Sequence, residues 1–541
     1  MDTTASPAPK ATHSHATAPE DRVPISQKIG YGLGTFPDMW GHWLYPTIAF
    51  QIFGLFLHVP QWQLGVAVIL NRLFDAVSDP LFGWLSDNAR TRWGRRRPFM
   101  LVGCILAGIG LPFLLAVTPG WGSTNVFGVQ ISKYFWFMLA SSAIYLPMVS
   151  CFNMPFVSLG NELTPDYHER TSVFSFKNTV QKIPEVGLFM FGRFFSTGAW
   201  IGADATNLFG RLKQLLFTIP TPWRKAFDGS AHSFWERLKL LFNLPDAWQT
   251  APDGTSPNML LGAQTYLVIC GIIIIIVGLT CTFLVRERYY EKLVVKSHVK
   301  VSIRETLWQT LQCQPFRIQL YMALAFNIGL SMVGTLGYVA TLSYVCLGNN
   351  SEANFWNSWM GLANMPLGFL GIPVFAYIAR HFGKRHSLLA VLWCAVAVFI
   401  GTWWLYTPSI VWLQMFASGL IAFIGAGYWT IMGSMGADVM DYDELECGRR
   451  REGSFSACSS WINKFAMAIG AGFGFFFLEW IGFDSKLTIQ TPHTIFMVRF
   501  LLASIPIIGL FLAMVALARF PLSQQKMAEI RAALEARRGK V

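Results

Sequence analysis

Long apolar runs dominate the chain and are broken at regular intervals by short polar connections. A helix needs about 20 predominantly apolar residues to cross a ~30 Å hydrocarbon core at 1.5 Å per residue. Twelve such segments can be drawn, over 29–57, 63–86, 98–118, 132–159, 172–199, 260–285, 317–346, 354–379, 386–406, 409–436, 453–482 and 494–518. The pattern predicts an all-α membrane protein of twelve transmembrane helices. The plainest segment is the sixth, with an unbroken isoleucine run from Ile272 to Ile276. The least plain is the fifth, which carries Lys177, Lys182, Pro184, Glu185 and Arg193. Charges at such depth face the protein interior or an interface.

Composition agrees with this class. Of 541 residues, 53% are hydrophobic and 13% are charged, against roughly 25% charged in an average soluble domain. Mean hydropathy is +0.41. The formal charge of +12 is distributed by topology. Arg90, Arg92, Arg95, Arg96 and Arg97 follow the second segment, and further clusters follow the sixth, eighth and tenth, including Arg286, Arg288, Arg380, Lys384, Arg385 and Arg449 to Arg451. Residues 58–63 and 405–410 carry no Lys or Arg. By the positive-inside rule the basic connections and both termini face the cytoplasm, so the chain is expected in the cytoplasmic membrane. Anionic lipid headgroups suffice as partners for this charge, and no nucleic-acid site is implied. The nine cysteines lack metal-ligand or disulfide spacing. Residues 1–19 lack the apolar core of a signal peptide and read as a disordered lead, in which His13 and His15 are too few for a metal site.

The organisation that follows is a lead over 1–27, spans one to five over 28–199, an extracytoplasmic insertion over 200–258 and a sixth span over 259–285. A central cytoplasmic loop over 286–316, a second half over 317–520 and a basic tail over 521–541 complete it. The insertion holds a tandem repeat, from Arg211 to Pro220 and from Arg237 to Pro245, that reads as two amphipathic helices stopped by proline. Trp93-Gly-Arg-Arg-Arg-Pro98 is echoed by Phe382-Gly-Lys-Arg-His386 at the equivalent place of a second six-span unit. Two six-helix halves around a central site are a common transporter plan.

The candidate chemistry lies in the second span, where Asp75 and Asp79 are four residues apart. A carboxylate near the bilayer centre costs roughly 3 kcal/mol on insertion scales, and an i, i+4 pair shares one helix face. Such a pair lines a polar cavity and binds a cation. Hard carboxylate oxygens suit Na⁺, and a desolvated carboxyl beside a like charge can instead carry H⁺. The opposing reading is charge closure without an ion, with Arg72 neutralising Asp75 and Lys464 neutralising Asp79. Trp40, His42 and Trp43 add stacking surface and a polar tip on the first span. Asp87 with Arg92, Arg95, Arg96 and Arg97, and Asp438, Asp441, Asp443 and Glu444 with Arg449 to Arg451, can form networks whose pairing differs between two states and so gates the inner end. No nucleotide-binding glycine loop, nucleophile elbow or metal signature is found, so no enzyme is expected.

Several stretches resemble a known family. They are Tyr31-Gly-Leu-Gly-Thr-Phe36, Arg72-Leu-Phe-Asp-Ala-Val-Ser-Asp-Pro-Leu-Phe-Gly83, Asp87 with Thr91 through Pro98, Pro155 through Asp166 with Glu169-Arg-Thr171, and Asp438-Val-Met-Asp-Tyr442 with Arg451-Glu-Gly-Ser454 and Lys464. Together they are similar to the glycoside-pentoside-hexuronide:cation symporters of the major facilitator superfamily, from about residue 28 to about 520 with the insertion interrupting. The resemblance implies the two-halved major facilitator fold, a monomer without cofactor, a small-molecule sugar or glycoside as substrate and Na⁺ or H⁺ as coupling ion. It implies a cation site of Asp75, Asp79 and Ser150, beside a sugar pocket drawing on Asp38, Trp43, Asn153, Lys177, Ser460 and Lys464. The chain departs from the pattern at Asn153, where the family carries a sugar-binding Asp, at Val157, where it carries Trp, and at Met39, where the first-span acid falls one place earlier at Asp38. An Asn both donates and accepts, which suits a neutral polyol. Other members of the wider family move lysophospholipids, and an amphiphile is the alternative substrate.

Overall fold

A computed structural model describes residues 22–89, 91–164, 167–201, 233, 251, 256–287, 310–447 and 452–538. The first predicted segment is a broken helix, α1 (Ile25–Leu33) and α2 (Thr35–Ala49), the latter continued by a π-helical turn over Phe50–Phe56. Next come α3 (Gln61–Asn88), α4 (Arg97–Phe113), α5 (Lys133–Glu162), α6 (Tyr167–Phe195) and α7 (Met259–Leu284). The second half holds α8 (Gln314–Ala340), with a π-helical continuation over Thr341–Val345, then α9 (Asn350–Phe382), α10 (Lys384–Leu405), α11 (Leu413–Cys447), α12 (Glu452–Trp480) and α13 (Pro492–Ala518). With α1 and α2 counted as one, the described residues hold the twelve expected helices. Eight qualify as membrane spans by length and apolarity alone. The others fall short for visible reasons. Charges interrupt α3 and α6, α4 is short, and Gly34 divides the first.

Local chemistry sets the ends. Side chains of Ser132, Asn258, Asn349 and Thr491 accept from main-chain N–H groups of the first turns of α5, α7, α9 and α13, satisfying donors that a helix start leaves open. Several ends differ from expectation. Helix α4 stops at Phe113, one residue after Pro112, where 118 was expected, and α11 runs past 436 to Cys447. A hairpin of β1 (Ser123–Val126) and β2 (Val129–Ser132) fills the connection before α5. The basic tail contains a helix, α14 (Gln524–Arg538), whose Met527, Ile530 and Leu534 are buried against the second half. The amphipathic repeats of the insertion lie outside the described residues. Its two ends are joined by the Ile201–Pro257 bridge.

The two halves share a backbone detail invisible in the hydropathy pattern. The π-helical turns at 50–56 and 341–345 are each followed by a non-glycine residue in left-handed conformation, His58 at φ 53° and Leu347 at φ 50°. Such residues are uncommon and π-helices rare. Their recurrence at matching places supports the repeat suggested by the 93–98 and 382–386 echo. The halves meet where α3 packs on α12 and α6 on α9.

Contacts between the halves gather at the end bearing His58 and Leu347. His58 Nδ1 lies 3.1 Å from Ser485 Oγ, Gln61 N–H donates to Glu479 Oε2 at 3.0 Å, and Ser358 Oγ donates to Phe189 O at 2.9 Å. Here α3 and α12 approach closely because Gly65 faces Gly472. A Cβ on Gly472 would stand 2.4 Å from Ile69 Cγ1, the small-residue contact expected of packed membrane helices. Gly472→Val is therefore expected to pry this end open, read as faster labelling of a Ser485→Cys reporter by an impermeant thiol reagent.

Candidate functional site

Asn71, Arg72, Asp75, Ser78 and Asp79 recur at three- and four-residue intervals, so α3 presents them on one face. Asp75 is fully buried and Asp79 nearly so. Arg72 donates from Nη1 to Asp75 Oδ2 at 3.1 Å, and its guanidinium sits 5.0 Å from the ring centre of Trp43. Ser150 on α5 donates from Oγ to Asp79 Oδ1 at 2.8 Å, with Ser78 Oγ 2.9 Å from Ser150 Oγ. Lys464 on α12 closes an ion pair with Asp79 Oδ2. Of the three residues expected to form the cation site, Asp79 and Ser150 are in contact and Asp75 lies one turn away on the same helix, and both basic partners that could balance the carboxylates are in place.

The two ion pairs differ in kind. Arg72 and Asp75 lie on one helix, so their pair travels with the first half. Lys464 and Asp79 lie on opposite halves, so their pair breaks when α3 and α12 separate. Rigid-body motion of halves around a central site is the usual mode in such folds.

Other expected residues are divided between two places. In the first half, Asp38 Oδ1 is 3.7 Å from His42 Nδ1, and Asn153 Nδ2 is 3.2 Å from the same nitrogen. Lys177 holds its ammonium 5.6 Å from the ring centre of Phe156, which follows Asn153 by three residues on α5. One face of Trp43 is occupied by Arg72, so its contact in this structure is the guanidinium. In the second half, a cavity of about 220 Å³ is lined by Gln319, Trp429, Gly433, Gly436, Ser459 and Asn463, among others. A Cβ added at Gly433 would meet nothing within 4 Å. Asn463 precedes Lys464 and accepts from Asn327 Nδ2 at 3.0 Å. Ser460 is exposed and does not line this cavity, where its neighbour Ser459 does.

Sequence reasoning missed Trp429, a half-exposed indole at the cavity wall. Its signal was a Trp beside glycines deep in an apolar span, hard to single out among 21 tryptophans.

The expected gate is only partly described. The side chains of Asp87 and Arg451, with Arg449 and Arg450, lie outside the described residues. Arg92 is exposed and Asp441 partly buried. Asp438, expected to meet Arg449 to Arg451, pairs with Lys384 at 2.6 Å. Arg95, Arg96 and Arg97 donate main-chain N–H groups to the carboxylate of Glu287 at 3.0, 2.8 and 3.0 Å, and Arg97 Nε donates to Thr282 O at 2.9 Å. Glu287 therefore caps α4, a favourable place for an anion. It escaped sequence reasoning because its partners are backbone. Glu287→Gln exchanges charge-assisted bonds for neutral ones and is expected to cost about 1–2 kcal/mol, read as a lower melting temperature.

With this geometry in hand, residues 55–524 match the family described as MFS/sugar transport protein. The chain belongs to that family. It is a multi-pass membrane transporter of the major facilitator type and not an enzyme. An uncharacterized symporter of Synechocystis sp. is 25% identical over 562 residues, covering 96% of this chain and 98% of the relative. An isoprimeverose transporter of Lactiplantibacillus pentosus is 21% identical over 519 residues, covering 95% and 92%. A sodium-dependent lysophosphatidylcholine symporter of Danio rerio is 21% identical over 474 residues, covering 85% and 79%. Among solved structures, a bacterial homolog of the human lysosomal transporter Spinster superposes with a TM-score of 0.56 at 15% identity, covering 94% and 97%. That likeness concerns the fold alone.

Proposed function

We propose that this transporter is a symporter that couples a monovalent cation, Na⁺ or H⁺, to movement of a sugar or glycoside across the cytoplasmic membrane, with its basic connections and both termini inside. The observation that carries this reading is Asp79, whose carboxylate is shared by Ser150 of its own half and Lys464 of the other. An arriving cation competes with the Lys464 ammonium for Asp79. Once displaced, Lys464 no longer ties α3 to α12, and it is free to address a substrate hydroxyl in the adjoining cavity. Asp75, held by Arg72 on the same helix, is the fixed member of the pair and Asp79 the exchangeable one. The contacts at the His58 and Leu347 end fit an outer gate that is shut, with the exchangeable ion pair turned toward the cytoplasm.

For the substrate, Trp429 offers an aromatic face, and Gln319, Ser459 and Asn463 offer neutral donors and acceptors around space that suits a small ligand. Asn153, Asp38, Lys177, Trp43 and Ser460 are the further contacts proposed from the resemblance. The name of the Lactiplantibacillus relative points the same way. An amphiphile such as a lysophospholipid is the second reading, favoured by the Danio relative.

The test is uptake by reconstituted vesicles of labelled glycosides, pentoses, hexuronates and lysolipids, with Na⁺ and H⁺ gradients imposed separately. Accumulation of a sugar or glycoside driven by one cation is the expected outcome. Accumulation of lysolipid alone would replace the sugar reading, and indifference to both gradients would refute symport.

A further inference from the structure

Behind Asp75 lies a small cavity of about 10 Å³, lined by residues that include His42, Tyr45, Ala49, Asn71, Arg72 and Asp75. It is about large enough for one water molecule. Among the residues lining it, two buried polar atoms have no hydrogen-bond partner, Nε2 of His42 and Oδ1 of Asp75.

The contact of His42 with a main-chain carbonyl favours the tautomer that carries hydrogen on Nδ1. Nδ1 lies 3.1 Å from the main-chain oxygen of Asp38 and 3.2 Å from the side-chain amide of Asn153. A carbonyl oxygen cannot donate, so the Asp38 contact is favourable only when Nδ1 bears hydrogen. The Asn153 amide then turns to offer its oxygen, since the two ends of an Asn amide are interchangeable in shape. In the neutral ring this leaves Nε2 as a bare acceptor. Asp75 Oδ1 is a second acceptor, and two acceptors cannot satisfy each other. A water molecule carries two donors and satisfies both, and buried polar groups are rarely left without such a partner.

We propose that this cavity holds one structural water, which donates to Nε2 of His42 and to Oδ1 of Asp75, and that His42 is thereby a positioning residue for the cation site. The inference rests on the symport reading and goes beyond it by giving a role to a buried histidine outside the cation's own ligands. With Arg72 on one carboxylate oxygen and the water on the other, the Asp75 side chain stays fixed in place when Lys464 leaves Asp79. His42 acts through the water and does not touch the cation.

The test uses monodisperse full-length protein in lipid nanodiscs, with tryptophan fluorescence followed during Na⁺ titration at fixed pH and during pH titration without Na⁺. His42→Leu removes the acceptor, whereas His42→Gln keeps a carbonyl acceptor at similar reach. The leucine variant is expected to weaken binding of the cation to which the wild type responds by about tenfold, with the glutamine variant within about threefold of wild type. Ala49→Leu fills the cavity from α2 without removing a polar group and is expected to weaken binding as His42→Leu does. Equal loss in the leucine and glutamine variants, or undiminished cation binding with the cavity filled, overturns the proposal, the latter even where the His42 variants fail to fold. A wild-type response that His42→Leu leaves intact overturns this inference alone. A wild type that responds to neither ion overturns the symport reading and this inference with it.

Discussion

Asp79→Asn is expected to abolish accumulation of solute against its gradient while leaving exchange of labelled for unlabelled solute across the same vesicles. The reason is the position of the carboxylate. It is the one group in the described site that touches both halves, through Ser150 Oγ on α5 and Lys464 on α12. Asn keeps the shape and can still accept from Ser150, but it offers neither a charge for a cation nor a proton-binding oxygen. Cycling of the loaded carrier then survives and its energetic link to the ion does not. Accumulation should fall from many-fold to the equilibrium ratio, which is the largest change any single substitution here predicts. Undiminished accumulation in this variant would contradict the assignment.

Lys464→Met is expected to have the opposite effect on cation binding and an equally severe effect on coupling. Removing one member of a buried ion pair leaves the other charge uncompensated, at a cost of about 3–5 kcal/mol for a fully buried pair. The Lys464 side chain is 30% exposed, so solvent screening lowers that figure. A share of about 1.4–2.8 kcal/mol corresponds to cation affinity raised tenfold to a hundredfold. With no ammonium to return to Asp79, the cation is not expelled when solute leaves, and net uptake should stall. Cation titration and net uptake measured on the same preparation check both halves of this expectation. Affinity equal to wild type would mean that Lys464 and the cation do not compete.

Much of the fold was legible because its determinants are local. Apolar length defined the twelve segments, and the acids of the second span stood out because charge at that depth is costly. The echo of 93–98 in 382–386 anticipated the two halves, which the π-helical turns before His58 and Leu347 repeat in the backbone. Features that depend on tertiary partners were hidden. Glu287 caps α4 through main-chain N–H groups, which carry no sequence signature. Helix α14 is polar on average, and only its packing on the second half reveals an apolar face at Met527, Ile530 and Leu534. Rotation about a helix axis is likewise hidden in the sequence, as around Ser460. Each residue turns a helix by about 100°, so Ser459 and Asn463 line the cavity while Ser460 is exposed. His42 was read with Trp40 and Trp43 as stacking surface and a polar tip, and its burial beside Asp38 and Asn153 was not legible.

The most direct test of the central claim is a cation titration of purified wild type, Asp79→Asn and Lys464→Met proteins, run in parallel with Na⁺ and with H⁺. Competition between Lys464 and the coupling ion for one carboxylate predicts the tightest binding in Lys464→Met, weaker binding in wild type and none in Asp79→Asn. A cation bound equally well by all three would contradict it.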